Sequence, residues 1–167
     1  MAWARTSFVN ILTPIYASLV TNTGLATTAI KLRSKRQWKF TADKILILVP
    51  QQLGRDAVVS DGSGRIMTAL KRQLWVQCVC RLALDTIDDG TQFFTNTSYG
   101  LIPFEEQVLN ALVEFQPINS AGTALTIEPI KFIGGVPPTQ EVESVGWGQE
   151  TLAFEITYAP ALNQAYQ

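Results

Sequence analysis

Histidine is absent from all 167 residues of this chain. That single absence removes His-based nucleophilic triads and imidazole-ligated metals together. Cysteine is nearly absent as well, with only Cys78 and Cys80 present. They lie two apart in a strand-like segment, so their side chains share a face about 6–7 Å apart, beyond the reach of a relaxed disulfide. With no second pair, a zinc site would need ligands from a partner chain. Buried, reduced thiols are the expectation. Charge is sparse, at 16% of residues against roughly 25% in ordinary soluble domains. No apolar run reaches the roughly 18 residues that would read as a membrane span. The opening MAWARTSFVNILTPIYASLV has one cation, Arg5, and an apolar stretch broken by Asn10 and Pro14, unlike a signal peptide.

Cations are all but missing from one half of the chain. Residues 1–84 hold twelve Lys and Arg against Asp43, Asp56 and Asp61, a local charge of +9. Residues 85–167 hold Lys131 against eleven carboxylates, a local charge of −10. The total of −1 conceals this sorting. Such a chain can fold its halves onto each other, or set its basic face against the acidic face of a neighbouring copy. The second arrangement gives head-to-tail rings and stacks their register. A high apolar content of 47% with few charges fits an exterior partly buried by partners.

The periodicities predict one α+β domain over residues 1–167, a mostly antiparallel or mixed sheet packed by two helices. Phe8, Ile11, Leu12, Ile15, Tyr16 and Leu19 describe one face of an N-terminal helix, which Thr6 or Ser7 can cap and Gly24 can end. Pro14 either kinks that helix or starts a shorter one capped by Thr13. ILILV at 45–49 reads as a strand, followed by a glycine-rich loop over about 51–65. RQLWVQCVCRLAL at 72–84 is the clearest strand, with Leu74, Val76, Cys78, Cys80, Leu82 and Leu84 on a wholly apolar face. A central helix is expected over about 102–115, with Pro103 in its first turn, Glu105 and Glu106 near its positive end and Pro117 beyond it. ALTIEPIKFI (124–133) and TLAFEITYA (151–159) read as closing strands, separated by a Gly/Pro loop over about 134–149.

No motif in the chain carries chemistry. DGSGR at 61–65 lacks the Gly-Lys-Ser/Thr ending of a phosphate loop and reads as a loop tip around Gly62. Asp85, Asp88 and Asp89 lack calcium-loop spacing and read as a solvated turn. Glu105 and Glu106 diverge by about 100° on a helix and read as dipole compensation. No catalytic, cofactor or metal residue is assigned, and an enzyme is not expected. Lys31, Arg33, Lys35, Arg36 and Lys39, with Trp38 among them, form the one segment suited to phosphates or to a neighbour's carboxylates. A solvated face, a protein interface and a DNA contact all remain open for it.

The order of elements carries a resemblance: amphipathic helix, ILILV strand, glycine-rich loop, RQLWVQCVCRLAL strand, helix PFEEQVLNALVEF, then two strands ending TLAFEITYA. This layout resembles the tail-terminator (tail completion) proteins of long-tailed bacteriophages, and other neck-region ring proteins share similar layouts. The resemblance implies a structural virion protein, assembled in the host cytoplasm and located in the tail or neck. It implies a hexameric ring that ends tail-tube growth and meets the head-completion (neck) protein, with DNA passing through its lumen without sequence-specific binding. No membrane and no cofactor enter. Alternatives are another head–tail connector, or a nucleic-acid-binding module centred on residues 31–39.

Subunit contacts are expected between Lys31, Arg33, Lys35, Arg36 and Lys39 and carboxylates among Asp85, Asp88, Asp89, Glu141 and Glu143. Docking to tube or head is expected through the loops around Gly62 and Trp147. Charge reversal at Arg33, Lys35 and Arg36 should weaken assembly at physiological salt, measured as the assembled fraction. Unchanged assembly would rule the basic interface out.

Overall fold

The computed structural model describes residues 3–32, 42–60, 66–81, 100–141 and 147–161, with side chains omitted at 52–60, 66–67, 136–141 and 147. Helix α1 spans Phe8–Thr23. The Ser7 hydroxyl accepts from the Asn10 N–H at its start, and Gly24 ends it with φ of 66°, its N–H donating to the Val20 carbonyl. That left-handed position favours glycine. The helix continues through Pro14, so Thr13 does not begin a shorter one. Proline deprives the Asn10 carbonyl of its helical donor, and Asn10 is exposed, where water can serve it. Phe8, Ile11, Ile15 and Leu19 are buried, with Leu12 and Tyr16 half-buried at the flank.

A short 3-10 turn, Thr27–Ala29, leads into β1 (Ile30–Leu32). Strands β2 (Lys44–Ser60) and β3 (Ile66–Arg81), helix α2 (Leu101–Leu112), and strands β4 (Lys131–Glu141) and β5 (Trp147–Tyr158) follow. The five strands form one mixed sheet in the order β1-β2-β3-β5-β4. β1 pairs parallel to β2, and the other pairs are antiparallel. The α+β class expected from periodicity is the class found.

One face of the sheet meets both helices. Leu74, Val76, Cys78 and Cys80 of β3 have no exposed surface, and neither do Leu152, Phe154 and Ile156 of β5. These residues share a core with Phe8, Ile11, Ile15 and Leu19 of α1 and Leu101, Phe104, Val108 and Leu112 of α2. Ser18 of α1 donates to the Ala111 carbonyl of α2 at 2.8 Å, tying the helices together. Cys78 and Cys80 are both free thiols, as their spacing requires. On the opposite face Ile45, Ile47, Val49 and Val79 form a second buried cluster with Trp75 and Ala42 against it. No helix among the described residues packs on that face.

Three expectations are corrected. The loop placed over 51–65 is strand as far as Ser60, because β2 and β3 stay paired to Ser60↔Ile66. Gly54 lies inside the ladder, and two register shifts, Pro50/Leu53 and Arg55/Val58, accommodate the irregular stretch. Pro50 is tolerated because β1 ends opposite Leu48, leaving β2 as an edge beyond it among the described residues. Likewise 134–141 and 147–149 are strand rather than loop, with Pro137 and Pro138 at a register shift of the edge strand β4. Gly134, at φ of 141°, sits at the other shift of that strand. Conversely, 124–130 is not strand. It is held by Leu125 N–H to the Pro117 carbonyl (2.8 Å), Ile127 N–H to Thr157 (2.8 Å) and Ile130 N–H to Phe115 (2.9 Å). Gln116 adds a side-chain bond to the Thr126 carbonyl at 2.9 Å. The alternation there reflects a buried irregular segment.

Phe154 is fully buried between the sheet and the helices. Phe154→Ala should lower the free energy of unfolding by about 3–5 kcal/mol, measured by urea denaturation. A loss below about 1 kcal/mol would show that the core is not organised around this residue.

Candidate interaction surfaces

Of the residues singled out from sequence, Lys31 lies on β1, half-buried and opposite Ile47 of β2. Arg33, Lys35, Arg36, Lys39, Gly62, Asp85, Asp88, Asp89 and Glu143 fall outside the described residues. Glu141 ends β4 and Trp147 opens β5, and the two are register partners across that hairpin. Trp147 is therefore in a strand and not in a docking loop, because β5 pairs from its first residue with Arg81 of β3.

The two edges of the sheet each carry an apolar hollow that no sequence motif announced. At the β1 edge, Val9, Leu12 and Tyr16 of α1 and Ile30, Leu32 and Leu48 of the strands surround a shallow hollow of about 350 Å³. Val9 and Leu32 are 71% and 55% exposed there. At the β4 edge, Val113, Glu114, Pro129, Ile130, Lys131 and Phe132 surround a second of about 540 Å³. Val113 and Phe132 are each 41% exposed, and Ile133 beside them 46%. Phe132 leans on buried Phe154 with ring centroids 5.6 Å apart, which fixes its position. Large apolar side chains left this exposed at hollows mark contact surfaces. The signal was available in Phe132 and Ile133, two adjacent apolar residues at the start of a strand that cannot both face a core.

A third feature is an overhang. β5 ends at Tyr158, opposite Leu70, while β2 and β3 continue to Ser60↔Ile66 as a two-stranded ribbon. No third strand flanks it among the described residues. Two strands alone are marginal in water. Residues 61–65, which include Gly62, join its two strands.

Several charged groups pair within the fold. Lys71 of β3 meets Glu155 of β5 at 3.2 Å, one basic-half residue against one acidic-half residue. Lys131 binds Glu128, which also accepts from the Thr157 hydroxyl at 3.0 Å. The Lys131 hydrogen bond holds the Glu128 carboxyl below its ordinary range, against the opposing effect of burial. Near the start of α2, Glu105 hydrogen-bonds Glu150 of β5. Burial, then the charge and hydrogen bond of Glu105, push the Glu150 carboxyl up to about 7. Glu105 is thus not a helix-dipole residue, since α2 starts at Leu101 and its first turn holds no acid. Beside the pair, burial raises the Cys78 thiol well above its usual range and the Cys80 thiol to about 12, Lys44 lowering the latter slightly. Both thiols are therefore inert in the folded chain. Among the described residues no three His, Cys, Asp or Glu side chains are grouped to hold a metal ion. None of the described helices is long and apolar enough to cross a membrane.

No protein-family model matches the chain, and no curated protein matches it. Among solved structures it shares its fold with a chain of the virion of a native gene transfer agent particle. The match has a TM-score of 0.50 at 14% sequence identity and covers 87% of this chain and 91% of that one. At that identity the likeness is one of fold.

Between the ordinary carboxyl value of 4.5 and about 7, folded Glu150 holds a proton that the unfolded chain has released. Stability therefore falls as pH rises through that window, and the penalty persists above it. Glu150→Gln should remove this slope, so the variant gains melting temperature over the parent at pH 8 more than at pH 4.5. An equal difference at both pH values would contradict a shared proton.

Proposed function

We propose that the chain is a structural protein of a phage-like virion, and within it a tail-terminator ring subunit that stops tube growth and joins tail to head. The observation that carries the virion reading is the fold shared, over nearly the full length of both chains, with a gene transfer agent virion chain. The tail-terminator layout of the sequence and two unlike apolar hollows on opposite sheet edges support the ring. Its mechanism is assembly by binding, with apolar contacts between copies and charge setting orientation; no catalysis is assigned.

In this reading the partners are further copies of the chain, six to a ring, the tail tube protein on one face and a head-completion or neck protein on the other. DNA passes through the lumen without sequence-specific contact. The β2–β3 ribbon, which projects beyond the rest of the sheet, is the element suited to reach the tube or the head. The protein resides in the tail or neck of the virion after assembly in the host cytoplasm.

Disrupting the gene and imaging the particles tests this. Tails of unregulated, excess length are expected, with few joined to heads. Tails of normal length that fail to join heads would move the protein to another neck position and overturn the terminator role. Normal, infectious particles would overturn the virion reading itself.

A further inference from the structure

Two carboxyls meet where α2 lies on the sheet. Glu150 is the register partner of Cys78 in the β3–β5 ladder and stands two residues before buried Leu152, so it shares the helix-bearing face. Glu105 follows fully buried Phe104 on α2 and hydrogen-bonds Glu150 across the contact. Both carboxyls act on the Cys78 thiol, which has no exposed surface. A bond between two carboxyls needs one shared proton; with both ionised, only acceptors face each other. The surrounding elements do little to relieve that. α1 carries no charged side chain, β4 at this level runs from Gly135 to Thr139 with no titratable group, and β3 contributes Cys78 and Cys80. On α2 the next residue, Glu106, is exposed and of the same sign. Lys44 of β2 is the cation on this side; its ammonium sits over the Phe104 ring, 5.2 Å from the centroid, and acts on Cys80.

The two elements joined by this pair are unequally held. β5 is laddered on both sides, to β3 and to β4. The start of α2 is weakly tied: Gly100 offers no side-chain cap, Pro103 has no N–H, and the Phe104 N–H reaches the Gly100 carbonyl at 3.4 Å. Its far end is anchored by Ser18 on the Ala111 carbonyl at 2.8 Å and by the Glu114 N–H on the Ile130 carbonyl at 3.0 Å. We propose that Glu105 and Glu150 form a pH-sensitive latch, which holds residues 101–108 on the sheet while one proton is shared and lets them lift from Cys78 when both acids ionise. Lifting exposes Leu101 and Phe104, both fully buried when closed, so the open form is a minority state. The direction follows from where the proton is held. The closed pair keeps it up to about pH 7, whereas an opened Glu150 releases it near the ordinary 4.5. Opening therefore grows easier as pH rises between those values and levels off above them. The latch is independent of the virion reading.

Amide hydrogen exchange, corrected for the intrinsic effect of pH on the exchange rate, tests the latch on the full chain. Between pH 5 and 7 the opening of residues 101–108 should rise by up to about tenfold per pH unit and then level, while β5 and α1 keep their protection. Glu150→Gln and Glu105→Gln each supply an amide that donates to the remaining carboxylate at every pH. Both variants should therefore hold residues 101–108 closed with a flat pH profile, and either one suffices if the other folds poorly. Thiol labelling gives a second reading, because Cys78 lies under the pair. At pH 7.5 the parent should be labelled at least about tenfold faster than Glu150→Gln. A flat profile in the parent, or an equal rise in the two variants, would overturn the latch. Loss of protection in β5 and α1 in step with residues 101–108 would show global unfolding and overturn the local opening.

Discussion

Strand β3 is the constraint on which the rest of the molecule depends. It lies between β2 and β5, paired on both sides from Leu70 to Cys80, and it sends Leu74, Val76, Cys78 and Cys80 to one face without exposure. That face requires the helices, and the helices require each other through the Ser18 to Ala111 bond and the shared core. A slip of one residue in β3 would turn Gln73, Trp75 and Gln77 inward and strand the apolar set outside. Register is therefore fixed at the centre of the sheet, and the neighbouring strands inherit it.

Fixing the centre also fixes what is left at the margins. Central β3 carries Lys71, Arg72 and Arg81, and β5 beside it carries Glu150 and Glu155, so the two charge blocks of the chain meet at the β3–β5 ladder. Some of that charge is neutralised across the boundary, as in the Lys71–Glu155 pair, whose partly exposed position makes it a modest contributor. The edges keep their apolar hollows, and beyond the level of Tyr158 the β2–β3 ribbon has no third strand among the described residues. A sheet with two unlike ends and an overhanging arm fits the assembly role proposed above.

How much of this was legible in the sequence depended on whether a signal was periodic or positional. The inner face of β3, the α1 stripe and the core of α2 were legible because each repeats at the period of its element. The ends of strands were not. Gly54, Pro50, Pro137 and Pro138 speak locally for loops, yet ladder pairing on one side and free edges on the other carry them inside strands. The stretch 124–130 misled in the opposite sense, since its apolar residues are buried by an irregular chain bonded to Pro117, Phe115 and Thr157. The Glu105–Glu150 pair was hidden because Glu150 fell between the expected loop, ending at 149, and the expected strand, starting at 151. Extending the β5 alternation back from Leu152 by two residues would have placed it on the helix-facing side. The edge hollows join α1 to β1, and the turn after α2 to β4, contacts that only the folded chain brings together.

Electron cryo-microscopy of purified particles addresses the central claim most directly. The account predicts this α+β subunit repeated around the tail axis in a single closed ring. Absence of the subunit from the particles, or its presence only as isolated copies or two-fold pairs, would contradict it.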